Sequence, residues 1–285
     1  MRRLLLFSAA LLTLQAADPR VGPPHGSLIA AGGGRLTVDI LETFIELAGG
    51  RDAAFVIIPT AFDNSSSYTA ENSFLVNAGC RDVTVLNTRD RSIADSEDFV
   101  APLRRARGVW IHGGQKWRLV DSYLNTRTHQ ELWNVLTRGG VIGGSSSGAS
   151  ILGSFLVRGA PETNRIMMAP GYEQGFGFLR GVAIDQHLLT RHRERDMLPV
   201  IASHPDLLGI GIDEATAIVV HGDRFRVIGA SKVAIYDAGT IRNRSPYFFV
   251  HPGEQFDLQS RGILIPPSAA RQVTDSAASR RVPVR

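Results

Sequence analysis

A glycine- and serine-rich turn at residues 143–149 has the residue types and spacing needed for nucleophilic catalysis. Gly144, Ser146 and Gly148 fit the G-x-S-x-G nucleophile elbow, a sharp strand-to-helix turn that exposes its central serine. The glycines relieve crowding in that strained backbone, and the following helix directs its N–H groups at a developing oxyanion. We therefore predict Ser146 as the nucleophile. An anion cradle at a helix N-terminus is the alternative interpretation of the same turn.

A histidine that could act as the base follows the predicted strand at residues 182–185, whose first three residues are apolar. His187 comes at the carboxyl end of this predicted strand, where α/β folds place their functional groups. It could take the proton of Ser146. An isolated histidine is more often structural, but this one stands among polar residues, namely Asp185, Gln186, Arg191, His192 and Arg193.

A third group, usually a carboxylate, must orient such an imidazole. Asp213 and Glu214 follow the apolar run at residues 210–212, and Asp185 precedes the histidine by two residues. Alternation along a strand places Asp213 and Glu214 on opposite faces, so only one of them should point inward. The residues alone leave the choice among the three acids open.

Two more glycine-rich turns follow predicted strands. The turn at residues 32–34 is not a dinucleotide-binding fingerprint, because Thr37 stands where the third glycine belongs. At residues 113–115, the backbone N–H of Gly114 could form an oxyanion hole with that of Ser147, and Gln115 could bind substrate. Tight turns between strands and helices also use glycine for purely structural reasons.

Short apolar strands alternate with helical patterns around these turns. We predict strands at 27–31, 53–59, 82–87, 108–112 and 141–143, and helices at 37–48, 68–78, 96–106, 117–124, 129–136 and 148–156. The alternation predicts an α/β fold, a three-layer sandwich with a mostly parallel central sheet.

The pattern changes after residue 159. Residues 160–180 have loop composition, and additional C-terminal strands are predicted at 182–185, 210–212, 216–221, 224–228 and 232–236, with a helix at 194–203. We expect one peptidase domain over residues 18–265. Residues 266–285 are rich in Pro, Ser, Ala and Arg, and we expect a disordered tail there.

The first 17 residues have the layout of a secretory signal peptide. Arg2 and Arg3 precede an apolar run from Leu4 to Leu14, and cleavage is expected near Ala16 or Ala17. The run is too short to span a bilayer core of about 30 Å. We expect an exported protein without stable membrane insertion. An uncleaved anchor and a buried N-terminal helix are the alternatives.

Composition excludes several function classes. The chain has 285 residues and a formal charge of +4, and without Arg2 and Arg3 it has 29 basic and 27 acidic residues. That near-neutral balance does not indicate a nucleic-acid partner. The single cysteine, Cys80, excludes a Cys-cluster metal site. His187 and His192 lack the spacing of a helical zinc pair, so we expect neither a metal nor another cofactor.

Taken together, the motifs resemble those of the cyanophycinase family. The segments that carry the resemblance are residues 113–115, 144–149, 185–187 with Arg191 and Arg193, and 211–217. Their order and approximate spacing are similar to those of the serine peptidases that include aspartyl dipeptidase. The resemblance extends over residues 27–236 and implies a fold like that of class I glutamine amidotransferases.

The resemblance implies roles for individual residues. Ser146 would be the nucleophile, His187 its base and Glu214 the acid. The implied substrate pocket consists of Gln115, Asp185, Gln186, Arg191 and Arg193. The implied substrate is cyanophycin, a poly-aspartate with arginine on each side-chain carboxyl, and the products are β-aspartyl-arginine dipeptides. Family members are often dimers, so a homodimer is compatible with the resemblance.

Three departures keep other functions in view. Arg195 and Asp196 bracket the place where the family often has a third arginine, and Ser147 stands where alanine is more usual. An export signal also differs from the cytoplasmic enzymes that mobilise a cell's own polymer. An aspartyl or isoaspartyl dipeptidase of the same fold is one alternative, and a non-catalytic exported binding protein is the other.

Overall fold

The protein is described by a computed structural model that covers residues 20–243 and 245–264, without the side chain of Arg242. The predicted signal peptide, residues 1–17, and the predicted tail, residues 266–285, lie outside the described residues. No helix within the described part of the chain has the length and apolar character needed to cross a bilayer.

Within these residues the chain forms fourteen strands and nine helices. The strands are β1 (Ser27–Ala31), β2 (Ala54–Ile58), β3 (Asp82–Val85), β4 (Gly108–Ile111), β5 (Val141–Ser145), β6 (Gly153–Phe155), β7 (Leu179–Gln186), β8 (Leu208–Ile212), β9 (Thr216–His221), β10 (Arg224–Gly229), β11 (Val233–Tyr236), β12 (Phe248–Val250), β13 (Gln255–Asp257) and β14 (Gly262–Leu264). The helices are α1 (Val38–Ala48), α2 (Phe74–Asn77), α3 (Arg91–Ala94), α4 (Glu97–Arg105), α5 (Lys116–Tyr123), α6 (Arg127–Thr137), α7 (Ser147–Ser150), α8 (Leu198–Ser203) and α9 (Ala238–Arg242).

The larger sheet has nine strands in the order β14-β13-β10-β9-β1-β5-β4-β2-β3. Strands β1 to β5 pair in parallel, whereas β9, β10, β13 and β14 extend the sheet with antiparallel pairs. All five residues of β1 are buried, as expected for a central strand covered on both faces. The predicted α/β class with additional C-terminal strands is confirmed.

A second sheet of five strands, in the order β12-β11-β8-β7-β6, is a feature that the sequence did not indicate. Its strands β6, β7 and β8 are parallel, and β11 and β12 are antiparallel to their neighbours. The carboxyl ends of β7 and β8 carry the predicted base and acid, so the smaller sheet supplies part of the candidate site.

Three apolar clusters hold the layers together. Helix α1 packs through Phe44 on one face of the nine-stranded sheet, against Trp110 at a ring-centroid distance of 5.0 Å. The other face packs on helices α4, α5 and α6 and on the inner face of the five-stranded sheet. Helix α8 covers the outer face of that smaller sheet. Both sheets therefore share one core, which fixes the ends of β5, β7 and β8 relative to one another.

Three predicted helices are shorter than expected, and the one predicted at 194–203 begins only at Leu198 as α8. Instead of one helix at 68–78, the chain has a 3₁₀ turn at Ser65–Ser67 and the short α2. The Asn72 side chain accepts the Thr69 N–H and donates to the Ser67 carbonyl, and these local bonds compete with a helical backbone. Ser73 then caps α2 by accepting the Val76 N–H.

The predicted helix at 148–156 is also wrong beyond its first turn. Helix α7 ends at Ser150, and residues Gly153–Phe155 form β6, which pairs in parallel with β7. A short segment of three residues is too brief to show the period of a strand or of a helix, so periodicity does not separate the two structures here.

Candidate active site

Ser146 lies at the strand-to-helix turn between β5 and α7 with φ 54° and ψ −115°. This backbone conformation is rare for a residue with a side chain, and it is the strained geometry expected of a nucleophile elbow. A Cβ atom on Gly144 would collide with the backbone of Gly148, so the turn requires the small residue there. The G-x-S-x-G pattern thus marks a real elbow with Ser146 at its apex.

A continuous chain of hydrogen bonds leads from this serine to a carboxylate. Ser146 Oγ lies 2.8 Å from His187 Nε2, and His187 Nδ1 lies 2.5 Å from Glu214 Oε1. His187 follows β7 and is 7% exposed. The arrangement can abstract a proton from the serine hydroxyl and stabilise the resulting imidazolium.

Of the three acids that the sequence left open, Glu214 is the one that contacts His187 within the described residues. The Asp213 carboxylate instead accepts hydrogen bonds from the Leu189 and Thr190 N–H groups and from the hydroxyls of Thr190 and Ser231. Asp213 therefore fixes the loop that follows His187. Asp185 is bound to Arg158 instead.

The three segments that carry these side chains are all hydrogen-bonded to the backbone of residues 31–33. The carbonyls of Ala31, Gly32 and Gly33 accept the N–H groups of Ser146 at 2.9 Å, His187 at 2.9 Å and Ala215 at 3.1 Å. Residues 31–33 extend from the end of β1, so the centre of the larger sheet sets the register of segments from both sheets. His187 and Ala215 also have positive φ values, 55° and 54°.

The glycine turn after β1 lies directly against the candidate base and acid. At Gly33, with φ 110°, an added Cβ would lie 2.8 Å from His187 Nε2 and 3.0 Å from Nδ1. At Gly34, with φ 67°, it would lie 2.6 Å from Glu214 Oε2. The sequence analysis assigned no catalytic role to the turn at residues 32–34. The signal that could have found it is three consecutive glycines directly after the first strand.

We predict that Gly33→Ala lowers kcat about 100-fold, because the methyl group must displace the imidazole and a displacement of about 1 Å costs that much in catalysis. Steady-state kinetics on a peptide substrate measures the effect. Gly50→Ala is the matched control, since Gly50 also has a positive φ of 96° but its added Cβ would meet no atom within 4 Å. Equal losses of kcat in the two variants would contradict the steric argument.

The predicted oxyanion-hole residues lie beside the elbow. An added Cβ on Gly113 would lie 2.9 Å from Ser146 Cβ, so the turn after β4 passes next to the nucleophile. The Ser147 hydroxyl donates to the Gly114 carbonyl at 2.5 Å, and the Gln115 N–H donates to Ala61 at 2.8 Å. Ser147 thus anchors the loop through its side chain, a contact that alanine at this position could not make.

The protonation state of the candidate base suits proton abstraction. Burial lowers the pKa of His187 from its ordinary value of 6.5, and the charges of Arg191 and Arg193 lower it further. The hydrogen bond to Glu214 acts in the opposite direction but does not reverse the shift. The imidazole is therefore neutral at pH 7 and can accept a proton.

A cleft of about 500 Å³ opens on the Gly33–Gly34 side of Ser146. Its wall includes Phe62, Phe74 and His112. Burial lowers the pKa of His112 to about 4, and its Nε2 lies 2.9 Å from the Tyr68 hydroxyl, so this imidazole is neutral and fixed. The wall also includes Arg35, so this side of the site combines aromatic rings with one cation.

The sequence matches a family of known hydrolases over most of its length. The profile of peptidase family S51 matches residues 28–228. The chain belongs to peptidase family S51. It is therefore a serine-type peptidase, and Ser146, His187 and Glu214 all fall within the matched residues.

Curated relatives are similar over about three quarters of this chain. A cyanophycinase of Synechococcus elongatus is 33% identical over 223 residues, covering 74% of this chain and 68% of the relative. A cyanophycinase of Geminocystis herdmanii is 31% identical over 224 residues, covering 75% and 81%. The fold is also similar to that in the crystal structure of a peptidase from an acI-B1 actinobacterium, with a TM-score of 0.62, 24% identity, and coverage of 83% of this chain and 98% of that one.

The predicted substrate residues of this S51 chain fall into two groups. Gln115 and Arg191 are partly or fully exposed. Gln186 and Arg193 are buried and bind each other, with Arg193 Nη1 donating to Gln186 Oε1 at 2.9 Å and to its carbonyl at 3.1 Å. The first pair is accessible to a bound substrate, whereas the second pair is buried and occupied by its own hydrogen bonds.

Asp185 does not offer its carboxylate to a substrate. It is fully buried, and Arg158 donates to both of its oxygens, from Nε at 2.9 Å and from Nη2 at 3.0 Å. The resemblance implied that Asp185 lines the substrate pocket, but in the structure an internal arginine already occupies both of its carboxylate oxygens. Sequence reasoning missed Arg158, which lies in the irregular region after β6 and has no motif of its own.

Proposed function

We propose that this S51 peptidase is an exported exopeptidase that hydrolyses cyanophycin to β-aspartyl-arginine dipeptides. The observation that carries the proposal is the hydrogen-bonded chain Ser146–His187–Glu214 at a nucleophile elbow. The two relatives named cyanophycinase support the choice of polymer. The predicted signal peptide at residues 1–17 supports export.

The proposed reaction is acyl transfer through the serine. Ser146 Oγ attacks the peptide carbonyl carbon while His187 Nε2 takes the hydroxyl proton, and Glu214 stabilises the imidazolium. The N–H groups of Gly114 and Ser147 bind the oxyanion. His187 then donates its proton to the leaving amine, and water hydrolyses the acyl-enzyme with the same histidine acting as base.

Positive charge near the site suits an anionic substrate. Arg191 is exposed and acts electrostatically on His187. Each arginine of cyanophycin keeps a free α-carboxylate, and a guanidinium can bind a carboxylate through two parallel hydrogen bonds. We assign Arg191 to that carboxylate and Gln115 to a polar group of the polymer.

Incubation with insoluble cyanophycin tests the proposal. The protein without residues 1–17 should release β-aspartyl-arginine, detected by chromatography, and Ser146→Ala should release none. Labelling of Ser146 with a fluorophosphonate shows that the enzyme preparation is active. If the polymer stays intact with such a preparation, cyanophycin is not the substrate.

A second candidate is hydrolysis of short aspartyl or isoaspartyl peptides. It is favoured by the pairing of Asp185 with Arg158, which leaves this buried carboxylate without room for the guanidinium of cyanophycin. Turnover of aspartyl dipeptides without release from the polymer would support this function over the first.

A further inference from the structure

Lys116 is an unusual residue in this chain. It is one of two lysines, with Lys232, among 31 basic residues. It is the first residue of α5, directly after the turn that carries Gly114, and it is 3% exposed. The chain uses arginine almost everywhere else, so an amine directly after the turn at residues 113–115 is a chemical exception.

The charges around Lys116 place it in the electrostatic environment of the candidate base. Arg158, Asp185, Arg191 and Arg193 act on its amine, from the region after β6, from β7 and from the loop before α8. Arg191 and Arg193 also act on His187. Lys116 also begins α5 two residues after Gly114, whose carbonyl accepts the Ser147 hydroxyl, so its backbone lies close to the candidate oxyanion hole.

The ammonium has no partner among the described residues. No hydrogen bond or ion pair joins Lys116 to them, although its side chain is buried. The nearby carboxylate, Asp185, already accepts two hydrogen bonds from Arg158 and the N–H of Gln186. A protonated amine is costly here, because three arginines act on it and the single opposing carboxylate, Asp185, is already bound to Arg158.

We propose that Lys116 is a specificity-determining residue that binds a carboxylate on the side chain of the residue whose carbonyl carbon Ser146 attacks. The inference rests on the proposed function, because it takes Ser146 as the nucleophile. In cyanophycin that carboxylate belongs to the arginine attached to the aspartate, so Lys116 would share it with Arg191, which also acts on the lysine electrostatically. In an aspartyl peptide it is the β-carboxylate of the aspartate itself.

Binding of such an anion is coupled to proton uptake. Burial lowers the pKa of Lys116 to about 7, with Asp185 opposing and the three arginines adding to the shift. An anionic ligand favours the ammonium and raises this pKa. Because Lys116 must be protonated, kcat/KM for an anionic substrate should fall above about pH 7, while neutral His187 sets the acid limb below pH 6.5.

The kinetic test compares substrates that differ in one carboxylate. The pairs are an aspartyl and an asparaginyl dipeptide, and a β-aspartyl-arginine oligomer and its agmatine counterpart. Lys116→Met should lower kcat/KM for the carboxylate member about 10- to 100-fold, the range of a charge-assisted hydrogen bond, and change the neutral member little. The pair that shows the loss identifies the source of the carboxylate.

Lys232→Met is the matched control, because Lys232 lies over the Phe249 ring, with its Nζ 4.3 Å from the centroid, outside the site. Lys232→Met should leave kcat/KM unchanged for both substrates of each pair. In Lys116→Met, kcat/KM for the carboxylate substrate should no longer decrease above pH 7. An unchanged carboxylate preference in Lys116→Met would overturn the proposal.

A binding measurement tests the proposal without turnover. Ser146→Ala protein labelled with ¹³Cε-lysine gives signals from two side chains only, and Lys116→Met assigns them. Adding aspartyl dipeptide or β-aspartyl-arginine should raise the pKa of Lys116 and leave that of Lys232 unchanged. A Lys116 signal that no carboxylate ligand moves would overturn the assignment.

Labelling with a small, uncharged fluorophosphonate separates the two proposals. Wild type and Lys116→Met should be labelled at Ser146 at similar rates, because this probe carries no carboxylate. Absence of labelling in the wild type would contradict the proposed function, whatever the lysine spectra show. Labelling combined with equal turnover of both members of each pair would contradict only the role of Lys116.

Discussion

Replacing Ser146 by alanine should reduce peptide hydrolysis by a factor on the order of 10⁴ or more, with the fold unchanged. The variant removes the oxygen that lies 2.8 Å from His187 Nε2. It keeps the Cβ atom and the backbone N–H that donates to Ala31, so the strain and the anchor of the elbow are the same. The loss should appear in kcat, measured with the best peptide substrate, and melting temperatures should agree within error.

The run of three serines in the elbow provides its own control. Ser145→Ala should still react with a fluorophosphonate, because Ser145 is the last residue of β5 and the hydrogen bond to His187 is made by Ser146. Ser146→Ala should not react. Labelling that disappears in Ser145→Ala but persists in Ser146→Ala would show that the nucleophile has been assigned to the wrong serine.

The parallel part of the fold could be predicted because its strands are short, apolar and bounded by glycine. β1, β4 and β5 lie where the alternation of strands and helices placed them. The second sheet could not be predicted in the same way, because its strands pair across long stretches of loop. Gly153–Phe155 pairs with a strand that begins only at Leu179, and nothing in a local pattern indicates that partner.

The candidate site was predictable where one backbone conformation demands particular residues. The elbow needs small residues around Ser146, and such a turn leaves a readable pattern. The choice between Asp213 and Glu214 could not be made from residue types, since both acids follow the same strand. It depends on which face of the loop meets His187, and the packing of two sheets decides that.

Buried charges were the least predictable part of the site. Arg158 and Asp185 are 27 positions apart and bind each other in the interior, so neither marks the other in the sequence. Lys116 shows the same limit, because a lysine after a glycine turn is typical of a solvated helix start. Its significance comes from its burial and from the lack of a partner among the described residues.

Glu214→Gln should lower kcat by a factor on the order of 10³ to 10⁴, as amide substitution of the acid does in other serine triads. Glu214 Oε1 lies 2.5 Å from His187 Nδ1 and favours the tautomer with its proton on Nδ1. A glutamine amide can donate to Nδ1 instead, which moves the imidazole proton to Nε2 and removes the acceptor that Ser146 needs. Because the Glu214 side chain is 30% exposed, stability should change little.

Asp213→Asn is the matched comparison, since it makes the same change of charge one residue away. Burial raises the pKa of Asp213, but hydrogen bonds from Thr190 and Ser231 outweigh that effect and hold it below the ordinary 3.8. An asparagine offers one acceptor oxygen to these donors, so we expect a loss of about 1–3 kcal/mol in unfolding free energy. The loss of kcat should be much smaller than in Glu214→Gln.

Thermal melting and steady-state kinetics on both variants distinguish the roles. In the expected pattern Glu214→Gln is stable and nearly inactive, whereas Asp213→Asn is less stable and retains most of its kcat. The reverse pattern would mean that Asp213 is the orienting acid and that its four hydrogen bonds rearrange when substrate binds. Because the two acids are adjacent and carry the same charge, a general electrostatic effect would lower kcat equally in both variants, so unequal losses identify the residue that holds the tautomer of His187.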